Sequence, residues 1–420
     1  MKIDIYLGPI GGGVVDASDV DKGNPGVGGT QYCMLELAHY LNCKKNYEIT
    51  LLAARRYILE DGINFVQVNG DDDVCSIVNN TTPDFFILSQ FNNKQLEADI
   101  KQLNINVIIW CHNYIYSDFC DFIVNTECIK ANVFVGKQQY DRYIDDDVIK
   151  KSTFIYNMFV DNTPNVEREN DSMTVVYMGA LIEGKGFVDL CKIWHYVLKK
   201  VPNAKLLVLG KGNLYGNRKM GSYGLASESY EKQFSKYITD SAGNIIPSVK
   251  FLGVVGKGKT EIFRKASIGV VNPSGRTETF GMGVVEMAEA KLPVVTIGKN
   301  GYFDTIINNV TGVLSPSLKQ MAIDIVDLLK DVDRNETYGE TAKQRISRFH
   351  PNIIGPQWEK LLHHVSCENA NFTYLKASHP YSNNIKWVRL LLRWLRFDLH
   401  ISFFPSLIKI ESTIVKIFYK

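Results

Sequence analysis

No apolar run in this 420-residue chain reaches the roughly 18 residues that a membrane-spanning helix needs, so nothing in it reads as a transmembrane segment. Paired cysteines are missing too. The eight cysteines are scattered with no Cys-x-x-Cys, and Cys111-His112 is the one Cys/His adjacency. The ligand spacings of structural zinc sites are absent, so no metal is expected and the thiols read as reduced cysteines of a cytosolic protein. An excess of one charge is likewise lacking. The net charge of +2 gives no electrostatic reason to expect nucleic acid. There is no leader-like start either: Met1-Lys2-Ile3-Asp4-Ile5-Tyr6-Leu7 alternates like a strand and then enters glycines.

What is present is a repeating order of strand, glycine-bearing loop and helix. Lys2 to Leu7, Glu48 to Ala53, Asp84 to Leu88, Asn106 to Trp110 and Asn132 to Val135 read as short apolar strands. Thr30 to Leu41 has helical spacing through Met34, Leu37, Ala38 and Leu41. A polar stretch, Asp161-Asn162-Thr163-Pro164-Asn165 to Asp171-Ser172, reads as a linker. A second series follows: strands at Thr174 to Met178, Lys205 to Leu209, Val249 to Leu252, Ile268 to Val271 and Val294 to Ile297, with a helix from Gly186 to Lys200. This alternation predicts an α/β protein with two doubly wound, Rossmann-like domains facing one another across a cleft. Their expected spans are 1–158 and 159–350. Residues 351–365 read as a further helix returning to the first domain. Ligands of such sheets bind beyond the carboxyl ends of the strands, where both glycine-rich loops, Gly26-Val27-Gly28-Gly29 and Gly179 to Gly186, fall.

Residues 366–420 differ, with eight Lys/Arg against three Asp/Glu. Lys386, Arg389, Arg393 and Arg396 fall on one helical face, and Trp387, Leu390, Leu391, Trp394 and Leu395 occupy much of the other. Two readings stand. One is an interfacial membrane helix whose contacts are Lys386, Trp387, Arg389, Arg393, Trp394 and Arg396. The other is a helix packing its apolar face on the protein.

The richest chemistry lies in Glu278-Thr279-Phe280-Gly281-Met282-Gly283-Val284-Val285-Glu286, directly after a buried strand and the turn Asn272-Pro273-Ser274-Gly275. The first carboxylate sits on a strand-to-helix loop and the second inside the helix. The glycines between them let a ligand approach the backbone, and the helix N-terminus offers N–H groups to an anion. One loop can then hold a phosphate, a sugar and a ribose. Gly253-Val254-Val255-Gly256-Lys257-Gly258-Lys259-Thr260 fits the P-loop pattern and keeps an NTPase reading open. Against it, the next strand ends in Asn272 rather than a magnesium-binding aspartate, and the motif lies deep in the second domain.

The ordered set from Pro273-Ser274 through Glu286, Ala288 to Val295, Gly301-Tyr302-Phe303-Asp304 and Thr311 to Leu314 resembles the family 4 glycosyltransferases of GT-B fold, over roughly residues 1–365. The resemblance implies a retaining, metal-independent, hexosyl-type transferase using a UDP- or GDP-linked sugar, with no cofactor. It assigns Glu286 to the ribose hydroxyls and Glu278 and His112 to the transferred sugar as catalytic groups. Gly28, Gly29, Lys185, Phe280, Gly281, Met282 and Gly283 are assigned to the donor. Where the family usually has an arginine facing the diphosphate this chain has Ala180, with Lys211 and Arg276 as candidate substitutes. No residue stands out as a nucleophile, which favours front-face attack guided by the leaving phosphate. The implied acceptor is a glycan or lipid-linked glycan of cell-surface polysaccharide synthesis such as lipopolysaccharide, and the implied location is cytoplasmic, peripheral on the inner face of the membrane. The rival readings are another GT-B enzyme (a sugar-nucleotide epimerase or a phosphorylase) and a non-catalytic partner subunit.

Overall fold

The computed structural model describes every residue except 164–166, 170–172, 213–218, 257, 368–371, 402 and 419–420. Pro164, Asn165, Asp171 and Ser172 of the linker reading, Lys257 of the P-loop-like run, and Ser402 and Lys420 of the tail therefore lie outside the described residues. The chain forms two compact units, Met1–Val160 with Phe349–Lys420, and Asp161–Arg348.

The first unit is built on seven parallel strands, β1 (Lys2–Tyr6), β2 (Glu48–Ala53), β3 (Ile63–Gln67), β4 (Phe85–Ser89), β5 (Asn106–Cys111), β6 (Ile129–Phe134) and β7 (Ser152–Phe154). Their spatial order is β3-β2-β1-β4-β5-β6-β7. The central strands are apolar and buried along most of their length, as expected where helices cover both faces of a parallel sheet. Strand β3, Ile-Asn-Phe-Val-Gln, is half exposed at the sheet's edge, and its weak apolar signal left it unread in the sequence. Helix α1 (Gly29–Cys43) follows the first glycine loop.

The second unit carries β8 (Thr174–Met178), β9 (Lys205–Leu209), β10 (Val249–Gly253), β11 (Ile268–Val271), β12 (Val294–Ile297) and β13 (Gly312–Ser315), in the order β10-β9-β8-β11-β12-β13. The winding reverses between β8 and β11, the position at which open α/β sheets bind ligands. Alternate residues of β8 explain the two helical layers. Val175 and Tyr177 join the core under α2 (Phe187–Lys200), while Val176 joins the opposite core, which includes Phe263 of α3 (Lys259–Lys265) and Val284 and Met287 of α4 (Met282–Glu289).

After Arg348 the chain belongs to the first unit again. Helix α5 (Pro351–Ser366) starts with proline, whose missing N–H costs nothing in a first turn. Its Trp358 meets Trp110 of β5 edge-on, ring centroids 4.6 Å apart. Helices α6 (Lys386–Arg393) and α7 (Leu407–Phe418) follow.

Here the structure corrects the reading of Lys386 and Arg389 as membrane contacts. Both side chains are fully buried. Lys386 Nζ lies 3.0 Å from Asp141 Oδ2, and Arg389 bridges Asp145 at 3.3 Å and Glu411 at 2.5 Å. Arg396 pairs with Asp147 at 2.6 Å, and the Arg393 guanidinium lies 3.5 Å from the centre of the Tyr374 ring. The cause is the acid-rich stretch Tyr140-Asp141-Arg142-Tyr143-Ile144-Asp145-Asp146-Asp147. Carboxylates buried there need cations beside them, so the helix turns its basic face inward. The alternative, apolar-face packing, holds only in part: Leu390 packs against the core of the first unit, but Trp387, Leu391 and Trp394 point outward, 62%, 51% and 48% exposed. Among the described residues no helix is long and apolar enough to cross a membrane.

Candidate functional site

Two loops leave the second sheet at its switch point. One follows β8 and carries Gly179 to Gly186; the other follows β11 and carries Asn272 to Gly281. They touch. Gly186 has φ +62°, and a Cβ there would lie 2.6 Å from the Ser274 nitrogen, so only glycine allows the approach. Lys185 is thereby set opposite Glu278, with Nζ 3.1 Å from Oε2. Asn272 Nδ2 donates to the same oxygen at 3.2 Å and to the Arg276 carbonyl at 2.6 Å. Ser274 Oγ donates to Asn272 Oδ1 at 2.7 Å.

Asn272 and Thr277 adopt positive φ, +33° and +61°, a conformation that side chains other than glycine seldom take. Backbone strain of this kind gathers at ligand sites. Gly281 caps α4 with φ +93°, and the Tyr302 ring packs where its Cβ would be, at 3.1 Å. The Tyr302 hydroxyl donates to the Val271 carbonyl at 3.0 Å, which ties the end of β11 to the element behind it. Phe280 and Gly281 are buried, while Met282 and Gly283 are half-buried in the first turn of α4.

Glu286, in the second turn, is partnered by Lys259, whose Nζ lies 2.8 Å from Oε1. Lys259 is the lysine of the P-loop-like run. Sequence reasoning assigned it no part in this site, and only a charge complement to Glu286 could have suggested one. Asn272 and Tyr302 were also missed as supports, although Asn272 opens a recognisable turn.

Ala180 is buried. Of the two candidate substitutes for the expected arginine, Lys211 is exposed beside the β8 loop, its carbonyl accepting from the Leu181 N–H at 3.5 Å. Arg276 is exposed within the β11 loop. Both border the site.

The remaining residues lie in the first unit. Gly28 caps α1 and is exposed with Gly29; a Cβ at Gly29 would meet nothing within 4 Å, so the backbone there is open to a ligand. His112 follows β5, buried, with its N–H donating to Gln90 Oε1 at 2.6 Å and its ring 4.6 Å from that of Trp110. Burial lowers its imidazole from 6.5 to about 3, so it is neutral at ordinary pH.

Residues 160–345 match the family model described as "Glycosyl transferases group 1". The capsular polysaccharide biosynthesis glycosyltransferase CapM of Staphylococcus aureus is 26% identical over 212 residues, 50% of this chain and 48% of that protein. The match thus spans about half the length of this curated relative. Anabaena Alr3699/HepE, solved in complex with UDP and glucose, aligns at TM-score 0.61 and 15% identity over 86% of this chain and 99% of its own. S. aureus TarM, solved as a mutant in complex with fondaparinux, alpha-GlcNAc-glycerol and UDP, aligns at TM-score 0.55 and 17% identity over 69% of this chain and 58% of its own. These likenesses show the α/β fold of GT-B glycosyltransferases.

Proposed function

We propose that this chain, a member of the group 1 glycosyl transferases through residues 160–345, moves a sugar from a nucleoside-diphosphate sugar, UDP- or GDP-linked, to a glycan or lipid-linked acceptor with retention of configuration. The observation that carries the reading is the arrangement at the switch point. Lys185 faces Glu278 at 3.1 Å ahead of the glycine-capped N-terminus of α4, and Glu286 stands one turn further on. A diphosphate leaving group needs positive charge where it departs. Lys185 and the N–H groups of α4 supply it, so the proposed chemistry requires no divalent metal. Glu286 accepts from the ribose hydroxyls, and Glu278 meets the transferred sugar. His112, being neutral, serves as a hydrogen-bonding group rather than an acid. With no nucleophile evident, attack runs on the face the phosphate leaves.

A polysaccharide acceptor is supported by the similarity to CapM, a capsular polysaccharide biosynthesis glycosyltransferase. Peripheral attachment to the inner face of the cytoplasmic membrane is supported by the outward Trp387 and Leu391 of α6 and Trp394 directly after it, since tryptophan favours the bilayer interface.

The donor reading is tested by thermal shift of the full chain against nucleotides and nucleotide sugars, with and without magnesium. Binding raises apparent stability by about 2.7 kcal/mol at a hundredfold excess over Kd. The expected result is a shift with UDP or GDP compounds that is independent of magnesium and lost in Glu286→Ala. A shift confined to ATP or GTP with magnesium would instead identify an NTPase.

A further inference from the structure

We infer that Lys259 is a positioning residue for the nucleoside half of the donor, holding Glu286 toward the ribose. The inference deepens the donor-site reading above and rests on it. Lys259 is the first residue of α3, on the crossover leaving β10, and Glu286 is on the crossover leaving β11. Both crossovers start at the carboxyl edge of the sheet. Their side chains meet at 2.8 Å with 23% and 17% exposure, so the pair is sheltered, yet still reachable by a ligand.

Three observations set it apart from an ordinary surface ion pair. The ammonium engages Oε1, which leaves Oε2 of Glu286 to accept from a hydroxyl. The contact joins two helices that pack in the same layer, with Phe263 of α3 and Val284 and Met287 of α4 in one core, so the lysine is delivered from a fixed element. And this lysine, which the P-loop pattern would commit to a phosphate, is paired with this carboxylate instead.

Physically the lysine does two things. It fixes the carboxylate rotamer, so that the hydroxyl meets an oriented acceptor. It also offsets the repulsion between Glu286 and the incoming diphosphate, which grows as water leaves the site. A ribose 2′-hydroxyl donating to a charged acceptor makes the stronger class of hydrogen bond. Recognition of ribose over deoxyribose should therefore depend on Lys259.

The test uses the full chain. Wild type, Lys259→Met, Lys259→Gln and Lys259→Arg, with Glu286→Gln as reference, are titrated calorimetrically with UDP, GDP and their 2′-deoxy forms, and the Tm of each is measured without nucleotide. For the nucleotide that wild type binds, Lys259→Met and Lys259→Gln should each lose about tenfold in affinity, the scale of one charge-assisted hydrogen bond. The ribose-over-deoxyribose preference should shrink with it toward that of Glu286→Gln. Lys259→Arg should keep most of both. Neutral variants with wild-type or tighter affinity overturn the inference whatever their Tm, as does lost affinity with an unchanged ribose preference. If wild type binds neither UDP nor GDP, the donor-site reading itself falls and takes this inference with it.

Discussion

Two buried titratable side chains of the first unit push its stability in opposite directions with pH. Glu36 lies on α1, 1% exposed, and burial raises its carboxyl from 4.5 to about 7. A raised folded value means that the folded state holds the proton longer. The contribution is therefore fully present below 4.5 and is lost as pH rises through about 7. A shift of that size corresponds to roughly 3 kcal/mol. Glu36→Gln should hold its Tm between pH 5 and pH 8 better than wild type, whose Tm falls; equal slopes for the two proteins would remove Glu36 as the cause. His112 has the opposite sign. Its folded value, about 3, lies below the ordinary 6.5, so its contribution is present above 6.5 and is lost as pH falls through that range. It also bears on the rate. A histidine neutral throughout the working range gives no limb near pH 6.5, so the pH profile of kcat/KM should be the same there in wild type and His112→Gln, though the variant is slower. A limb near 6.5 that vanishes in the variant would restore His112 as an acid or base.

At the scale of elements, the basic helix α6 makes the sharpest energetic statement. Arg389 and Asp145 are both fully buried, and burial raises the Asp145 carboxyl even beside the arginine. Removing one partner strands the other charge, a loss of about 3–5 kcal/mol for buried pairs. Arg389→Met should therefore lower the urea midpoint by a large fraction of a domain's stability. Adding Asp145→Asn should recover part of it; a double variant no better than the single one would place the loss in packing instead.

The same helix shows how far a sequence can be read. Its two faces were plain from the spacing of Lys386, Arg389, Arg393 and Arg396, but amphipathicity says only that the faces differ, not which one is covered. The deciding information lay more than two hundred residues earlier, in the aspartates at 141 and 145–147. Most strands, by contrast, were legible because each is a short apolar run fed by its own sequence; β3 and β7, the two edge strands of the first sheet, escaped, β3 because it is half wet and β7 because it is three residues long. Within the site, Lys185, Glu278 and Glu286 were singled out from two separate glycine-bearing segments through the family resemblance, and Lys185 and Glu278 meet in the structure. Lys259 was not: its role comes from a contact between two crossovers, and its local pattern pointed to different chemistry.

At the scale of the whole molecule, the tail cannot be treated as a detachable anchor. Cutting the chain after residue 384 removes Lys386 and Arg389 from Asp141 and Asp145, and with them Ser406 and Glu411, which bond Asp146 and Arg142. The first unit, which owns all of these residues, should then lose stability, and any fall in membrane binding would report misfolding. The substitution that separates the two effects leaves the inward face alone. Trp387→Ser, Leu391→Ser and Trp394→Ser together change three outward side chains and none of the ion pairs. Flotation with phosphatidylcholine vesicles and with vesicles containing phosphatidylglycerol then measures attachment directly. If the apolar face is the contact, the triple variant should float several-fold less than wild type at an unchanged Tm. Anionic lipid should add little, because the cations of α6 are engaged within the protein. Wild type that floats only with anionic lipid, and equally well as the triple variant, would move the contact to another surface.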